Sequence, residues 1–254
     1  YHHDGGLTVS YRLNTGKHNL RAGLVASAGQ IDRRTYINKD GLESFMFAHD
    51  NLQARNLTLF AEDLIRLTSK LNFVSDAQLV YNERNSSDRF PQPNLRPWYS
   101  HMSKKYRYFR SQSTTLNQHW TAFNPRIGLI YSPFKGEDVQ LFGNLSRSYE
   151  PPTFDELVGT EVTTNINTSP KRLYAIALDK QTATTLELGS KGRTTRFSWN
   201  VAAYRSWVHN EILEVKDYVR GIKRTENYPT TLHQGVEVGL NAVVADNPWG
   251  INAG

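Results

Sequence analysis

Hydrophobic and polar residues alternate with a period of two along most of the chain. Leu7, Val9, Tyr11 and Leu13 are interleaved with Thr8, Ser10, Arg12 and Asn14. Leu20, Ala22, Leu24, Ala26 and Ala28 share one parity, as do Leu71, Phe73, Ala77, Leu79 and Tyr81. The same holds for Ile127, Leu129 and Tyr131, and then for Val139, Leu141 and Leu145. Phe197, Trp199, Val201 and Ala203 oppose Ser198, Asn200, Ala202 and Tyr204; Val236, Val238, Leu240, Ala242 and Val244 oppose Glu237, Gly239, Asn241 and Val243. Side chains of a strand point to opposite faces in turn, so each segment is predicted to be a strand with one apolar and one largely polar face. Residues 55–67 are less regular: Leu57, Leu59 and Ala61 alternate and Asp63 breaks the pattern, and this stretch is also read as a strand. The pattern predicts about nine strands.

The connections carry as much information as the strands. Short turns are expected at 15–18, 68–70, 133–138 and 192–194, and long connections at about 31–54, 84–122, 148–178 and 209–231. Short and long links alternate along the whole chain. Structureless loops this long are unusual in compact domains. They are what an all-β, antiparallel transmembrane barrel shows, with short periplasmic turns and long extracellular loops. The polar faces are rich in Gly, Ser, Asn and Thr rather than Lys and Glu, which suits a wet lumen better than a solvated exterior. Tyr11, Tyr81, Tyr131 and Trp207, near strand ends, fit the aromatic girdles of such a wall.

Composition narrows this further. The 254 residues contain no cysteine, which excludes a disulfide framework, thiolate zinc sites and a cysteine nucleophile. Apolar residues are only 38% but aromatics are 11%, and an aromatic-rich chain is not a disordered one. No apolar run approaches the roughly 18 residues of a transmembrane helix. The formal charge of +6 is mild and spread over turns and loops. Without a basic helix or a recognised fold it does not indicate nucleic-acid binding. The first residues lack the charged start and apolar run of a secretory leader. The chain is therefore expected to be an internal piece of a longer protein, or one whose targeting segment has been removed.

Several motifs, in order, resemble a known family. Asn124-Pro125-Arg126-Ile127-Gly128-Leu129-Ile130-Tyr131 precedes Val139-Gln140-Leu141-Phe142-Gly143-Asn144-Leu145-Ser146-Arg147-Ser148-Tyr149-Glu150-Pro151-Pro152. Leu186-Glu187-Leu188-Gly189-Ser190-Lys191-Gly192 and Gly235-Val236-Glu237 follow, and Asn56-Leu57-Thr58-Leu59-Phe60-Ala61-Glu62-Asp63 comes earlier. This order is similar to that of TonB-dependent outer-membrane receptors, the siderophore and ferric-chelate receptor family. The resemblance implies a barrel of about 22 strands in the bacterial outer membrane, of which this chain is a middle section. It also implies a plug domain carrying a TonB box, which with the remaining strands would lie outside these residues. It implies active import of a metal chelate, most simply a ferric siderophore or a ferric citrate-type complex, energised by TonB and its inner-membrane complex. No catalysis and no covalently bound cofactor are implied.

The candidate ligand residues lie in the long connections. The connection 84–122 carries Arg96, Trp98, Tyr99, His101, Tyr106, Arg107, Tyr108, Arg110 and Trp120; the first long connection adds Arg33, Arg34 and His49. Anionic, flat chelates suit guanidinium forks and aromatic faces. Packing of loop on loop, or contact with lipopolysaccharide phosphates, is the competing reading of the same residues. His49, His101 and His119 show no tight metal-ligand spacing, so no metal site is assigned. Residues 153–177 contain no histidine, which speaks against a haem ligand of the family type. Asp155 and Glu156 follow a proline pair and read as a loop-initiating turn rather than as paired catalytic carboxylates. Glu187 and Glu237 are expected to face the lumen and pair with arginines. A passive outer-membrane channel or adhesin barrel is the main alternative. A barrel-borne hydrolase would need a serine–histidine or carboxylate–histidine constellation, and a soluble sandwich would need the faces reversed.

Overall fold

The computed structural model describes residues 2–100, 103–134, 138–162, 171–217 and 222–243. These form thirteen strands, with no helix among them: β1 (His2–Asn14), β2 (His18–Lys39), β3 (Leu42–Arg66), β4 (Leu71–Asp88), β5 (Leu95–Ser100), β6 (Lys105–Arg110), β7 (Leu116–Tyr131), β8 (Gln140–Glu150), β9 (Val158–Val162), β10 (Lys171–Ala175), β11 (Gln181–Arg193), β12 (Phe197–Asp217) and β13 (Ile222–Ala242). Eleven of them make one open antiparallel sheet in the order β1-β2-β3-β4-β7-β8-β11-β12-β13-β9-β10. β5 and β6 pair separately as a hairpin. The nine long strands β1, β2, β3, β4, β7, β8, β11, β12 and β13 are the nine expected, each beside its sequence neighbour in that series.

The turns expected at 15–18 and 68–70 close as the sequence suggests, Thr15 N–H donating to His18 O (2.9 Å) in the first; residues 135–137 of the turn expected at 133–138 lie outside the described residues. At the β3–β4 turn Thr68 Oγ1 accepts from the N–H groups of Lys70 (3.1 Å) and Leu71 (3.0 Å), a local substitute for ladder bonds. The turn expected at 192–194 lies slightly later, at 194–196. There Thr194 N–H donates to Phe197 O (2.7 Å) and Thr194 Oγ1 accepts from Phe197 N–H. Asp63 stays in β3 although it breaks the alternation. Its Oδ2 lies 2.7 Å from His18 Nδ1, beside the short turns where a polar pair is tolerated.

The two faces differ as a lipid-facing wall requires. Leu7, Val9, Leu59, Leu79, Ile127, Leu129, Leu145, Leu188, Val236, Val238 and Leu240 are all exposed and share one side through the strand register. The opposite side is polar and internally bonded. Arg12, Arg21, Glu62, Asp76 and Arg126 lie in one row across five adjacent strands. Within that row Arg126 bridges Asp76 (2.6 Å) and Arg21 bridges Glu62 (3.8 Å). Glu187 is on this face too, but it accepts from the Asn144 amide (2.8 Å) rather than pairing with an arginine. Gly189, in the acidic-strand motif, has a steric reason. A Cβ there would stand 2.3 Å from the Phe142 ring and 2.7 Å from Val201 O.

The long connections depart most from expectation. Residues 31–54 are not a loop: β2 and β3 pair without a long break up to Lys39↔Leu42, with small register shifts near Tyr36. The two turn residues, Asp40 (φ 52°) and Gly41 (φ 91°), both have positive φ, the geometry of a two-residue hairpin turn whose twist matches its strands. β12 and β13 likewise pair out to Asp217↔Ile222, and 84–122 contains the end of β4, both strands of the β5–β6 hairpin and the outer part of β7. Past the apolar band a strand has no apolar face to keep, so alternation stops while the ladder continues. The buried cluster sits at this far end, on the polar side: Trp120, Leu157 and Leu178, packed by Leu116, Tyr149, Ile176 and Ile212.

Candidate functional site

The strand extensions carry a platform formed largely by the β5–β6 hairpin. Its central fastening is Arg96, fully buried, whose Nη1 donates to Phe47 O (2.8 Å) and whose Nη2 donates to the equally buried Asp88 carboxylate. The guanidinium also lies 5.0 Å from the Phe90 ring centroid. Asp88 accepts in addition from Thr114 N–H (3.0 Å), and Thr114 Oγ1 donates to buried Asp50 (2.5 Å). Arg33 joins this network, 3.6 Å from Asp50 and 2.8 Å from Asp155. One chain of charged and polar groups thus ties β2, β3, β4, β5, the segment before β7 and the turn after β8.

Aromatic contacts hold the hairpin's other end. Tyr106 meets Phe45 edge-on (centroids 4.9 Å) and Tyr99 at 5.0 Å, and its hydroxyl is 2.5 Å from Ser44 Oγ. Lys39 Nζ lies over both tyrosine rings, at 5.5 and 5.7 Å. Trp120 Nε1 donates to Leu178 O (3.2 Å) inside the apolar cluster. Ser111 bonds Leu173 through both its hydroxyl roles, 2.8 Å to Leu173 O and 3.0 Å from Leu173 N–H. Glu156 closes the turn after the proline pair by accepting from Thr153 N–H (2.6 Å) and Thr153 Oγ1 (2.9 Å).

The candidate residues therefore separate into two groups. Arg33, Arg96, Tyr99, Tyr106 and Trp120 are engaged in fastening the platform. His49 Nε2 is 2.9 Å from Asp32 Oδ2, and Arg34 Nε donates to the same carboxylate's other oxygen (3.2 Å). The hydrogen bond from His49, ahead of the nearby charges of His49 and Arg34, holds the Asp32 carboxyl below the usual carboxylate range against a smaller opposing effect of desolvation. The second group takes part in none of these contacts. Half-buried Trp98 stands directly opposite exposed Arg107 on one face of the hairpin, and Tyr108 (68% exposed) and exposed Arg110 lie on the other, the face of Tyr106. His101 lies outside the described residues. Among the described residues no three His, Asp or Glu side chains converge as a metal site. Asp50, Asp88 and Thr114 were not singled out by sequence reasoning. Only the clash of carboxylates in an otherwise aromatic and basic region could have hinted at them.

The model of the TonB dependent receptor-like β-barrel family matches residues 1–254. The chain belongs to that family. TonB-dependent receptors are outer-membrane proteins of Gram-negative bacteria, so the bare apolar face is the one that meets lipid. Among solved structures the fold is similar to the copper transporter OprC (TM-score 0.70, 13% identity, 97% of this chain and 36% of that one). It is also similar to the siderophore receptor PiuA from Acinetobacter baumannii (0.65, 14%, 96% and 36%). A third likeness is to the ferric yersiniabactin uptake receptor FyuA from Yersinia pestis (0.64, 10%, 96% and 32%). The chain spans about a third of the length of these receptors. Among curated proteins none matches it in sequence.

Proposed function

We propose that this chain is a section of the barrel wall, with its extracellular platform, of a receptor that imports a metal chelate, most simply a ferric siderophore or ferric citrate-type complex. The observation that carries the reading is the family match over the whole chain. The neighbours that handle a ferric catecholate, ferric yersiniabactin and other siderophores support the ligand class. The rest of the wall and a plug domain complete the receptor, and TonB energises passage through the plug. Trp98 with Arg107 on one face of the hairpin, and Tyr108 with Arg110 on the other, offer the chelate aromatic and guanidinium groups. The protein is a transporter and not an enzyme, it carries no covalent cofactor, and its outer face contacts lipid and lipopolysaccharide.

The test uses the complete receptor in a strain deleted for its other chelate receptors. Accumulation of radiolabelled ferric chelates should require both the receptor and TonB, and iron starvation should raise its expression. Uptake that persists without TonB would favour a passive channel, and constant expression would count against an iron ligand.

A further inference from the structure

The ladder between β7 and β8 is incomplete. It runs from Tyr131↔Leu141 to Arg126↔Ser146 and stops there. The next residue outward on β7 is Pro125, which has no N–H to continue it. Beyond this point β7 remains paired with β4 up to Ser86↔Leu116, and β8 remains paired with β11 up to Glu150↔Gln181. The two strands therefore part, and one edge of each is unpaired by its neighbour. A cleft of about 310 Å³ lies at the parting, lined by Leu79, Thr121, Phe123, Pro125, Arg147, Lys180 and their neighbours Ala122 and Thr182.

The position of this cleft decides its chemistry. Leu79 and Phe123 are exposed on the apolar outer face, and Arg147 follows Leu141 and Leu145 on the same side of β8. Thr182 on β11, and Lys180 just before its start, continue the parity of exposed Leu186 and Leu188. The cleft thus opens toward lipid where the apolar band gives way to cations on the extracellular side. Lys180 Nζ donates to Thr121 O, capping one acceptor of the open edge, while the Arg147 side chain has no hydrogen-bond or ion-pair partner among the described residues. No carboxylate lines the cleft. Unpaired backbone groups at a lipid boundary are costly unless something polar meets them.

We propose that this parting of β7 and β8 is a binding site for a phosphate-bearing lipid of the outer leaflet. Arg147 and Lys180 hold the phosphate, whose oxygens also accept from free N–H groups of the β7 edge, and an acyl chain lies along Leu79 and Phe123. The guanidinium fork matches phosphate oxygens, and a site at the membrane boundary strengthens such charge-assisted bonds relative to bulk water. The proposal rests on the outer face being the lipid-facing one, as the proposed function requires.

The complete receptor, purified in mild detergent, would be titrated with diphosphorylated lipid A and followed by native mass spectrometry. Dephosphorylated lipid A and inorganic phosphate are the comparison probes. Wild-type protein should retain the diphosphorylated lipid, and Arg147→Ser with Lys180→Gln should weaken retention by about tenfold or more. Lys180→Arg should keep most of it. Heat-modifiable migration of the folded barrel checks that each variant is assembled; its loss in the wild-type protein would sink the membrane reading itself rather than this site. Equal retention by the double variant, or equal binding of the dephosphorylated lipid, overturns the site. Binding of inorganic phosphate with the same dependence on Arg147 and no lipid preference overturns the lipid assignment.

Discussion

Arg96→Ala is the perturbation that best separates a residue that recognises ligand from one that builds the platform. The Arg96 side chain is 0% exposed and its partner Asp88 is 1% exposed. Removing one partner of a buried ion pair costs about 3–5 kcal/mol, because the remaining charge is left without compensation. The lost bond to Phe47 O adds to this. The cost falls on the hairpin and not on the wall, since β5 and β6 share no ladder with the large sheet. The surface pair Lys104–Asp40 (3.3 Å) is worth too little to hold the hairpin alone. At about 3 kcal/mol the open population of β5–β6 should rise on the order of a hundredfold. Hydrogen exchange on the complete receptor reads this directly: amides of Leu95–Ser100 and Lys105–Arg110 should exchange faster, while those of the β3–β4 ladder should not change. Asp88→Asn in the Arg96→Ala background should recover part of the protection, because it removes the stranded charge. Unchanged exchange in Arg96→Ala would refute the reasoning, and lost uptake with unchanged exchange would return Arg96 to direct ligand contact.

Three further outcomes are expected. Replacing Trp98, Arg107, Tyr108 and Arg110 together by Ser should weaken chelate uptake about tenfold or more, with thermal stability of the barrel nearly unchanged; undiminished uptake would remove these residues from the site. Val238→Lys, at a position 61% exposed and opposite Val201, should cost about 2–4 kcal/mol in folding into bilayers if it lies near the midplane, and a neutral result would mean that the faces are reversed. Asp32 has a folded-state pKa below the ordinary 3.8, so its contribution to the β2–β3 extension is present above that value and lost as pH falls through the lower folded value. Exchange at residues 30–39 and 42–52 should therefore accelerate below about pH 3.8, and Asp32→Asn should abolish that acid dependence.

The wall was legible because lipid imposes the period-two pattern directly on the residues that meet it. Leu57, Leu59, Val236 and Val238 announce their face with no knowledge of their neighbours. The platform was not, because nothing in the sequence of β2 beyond Gln30 has to be apolar on one side. The one local cue was Asp40-Gly41, whose hairpin turn chemistry fixes the β2–β3 tip and shows that 31–54 is paired strand. The roles of Arg96 and Trp98 were equally invisible. They lie two residues apart on one strand of basic and aromatic residues, yet Arg96 is sealed by Asp88, eight positions earlier, and Trp98 stays accessible. Composition points to the region; only the tertiary partner decides which member is structural.

That division separates what the fold fixes from what it leaves free to vary. The wall strands share ladders through the apolar band, so their register cannot slip by one residue without turning every apolar side chain inward. The β5–β6 hairpin has no such constraint. It is fastened by a few contacts: Arg96 with Asp88, which is buried, and Tyr106 with Phe45 and Ser44, which is partly exposed. The segment that follows it is tied through Ser111 to Leu173. Its outward residues Trp98, Arg107 and Tyr108 take part in none of these. They can therefore differ in size and charge without loosening either the hairpin or the wall. Recognition chemistry placed there would be adjustable because the hairpin is held by other side chains, chiefly the buried Arg96 and Asp88.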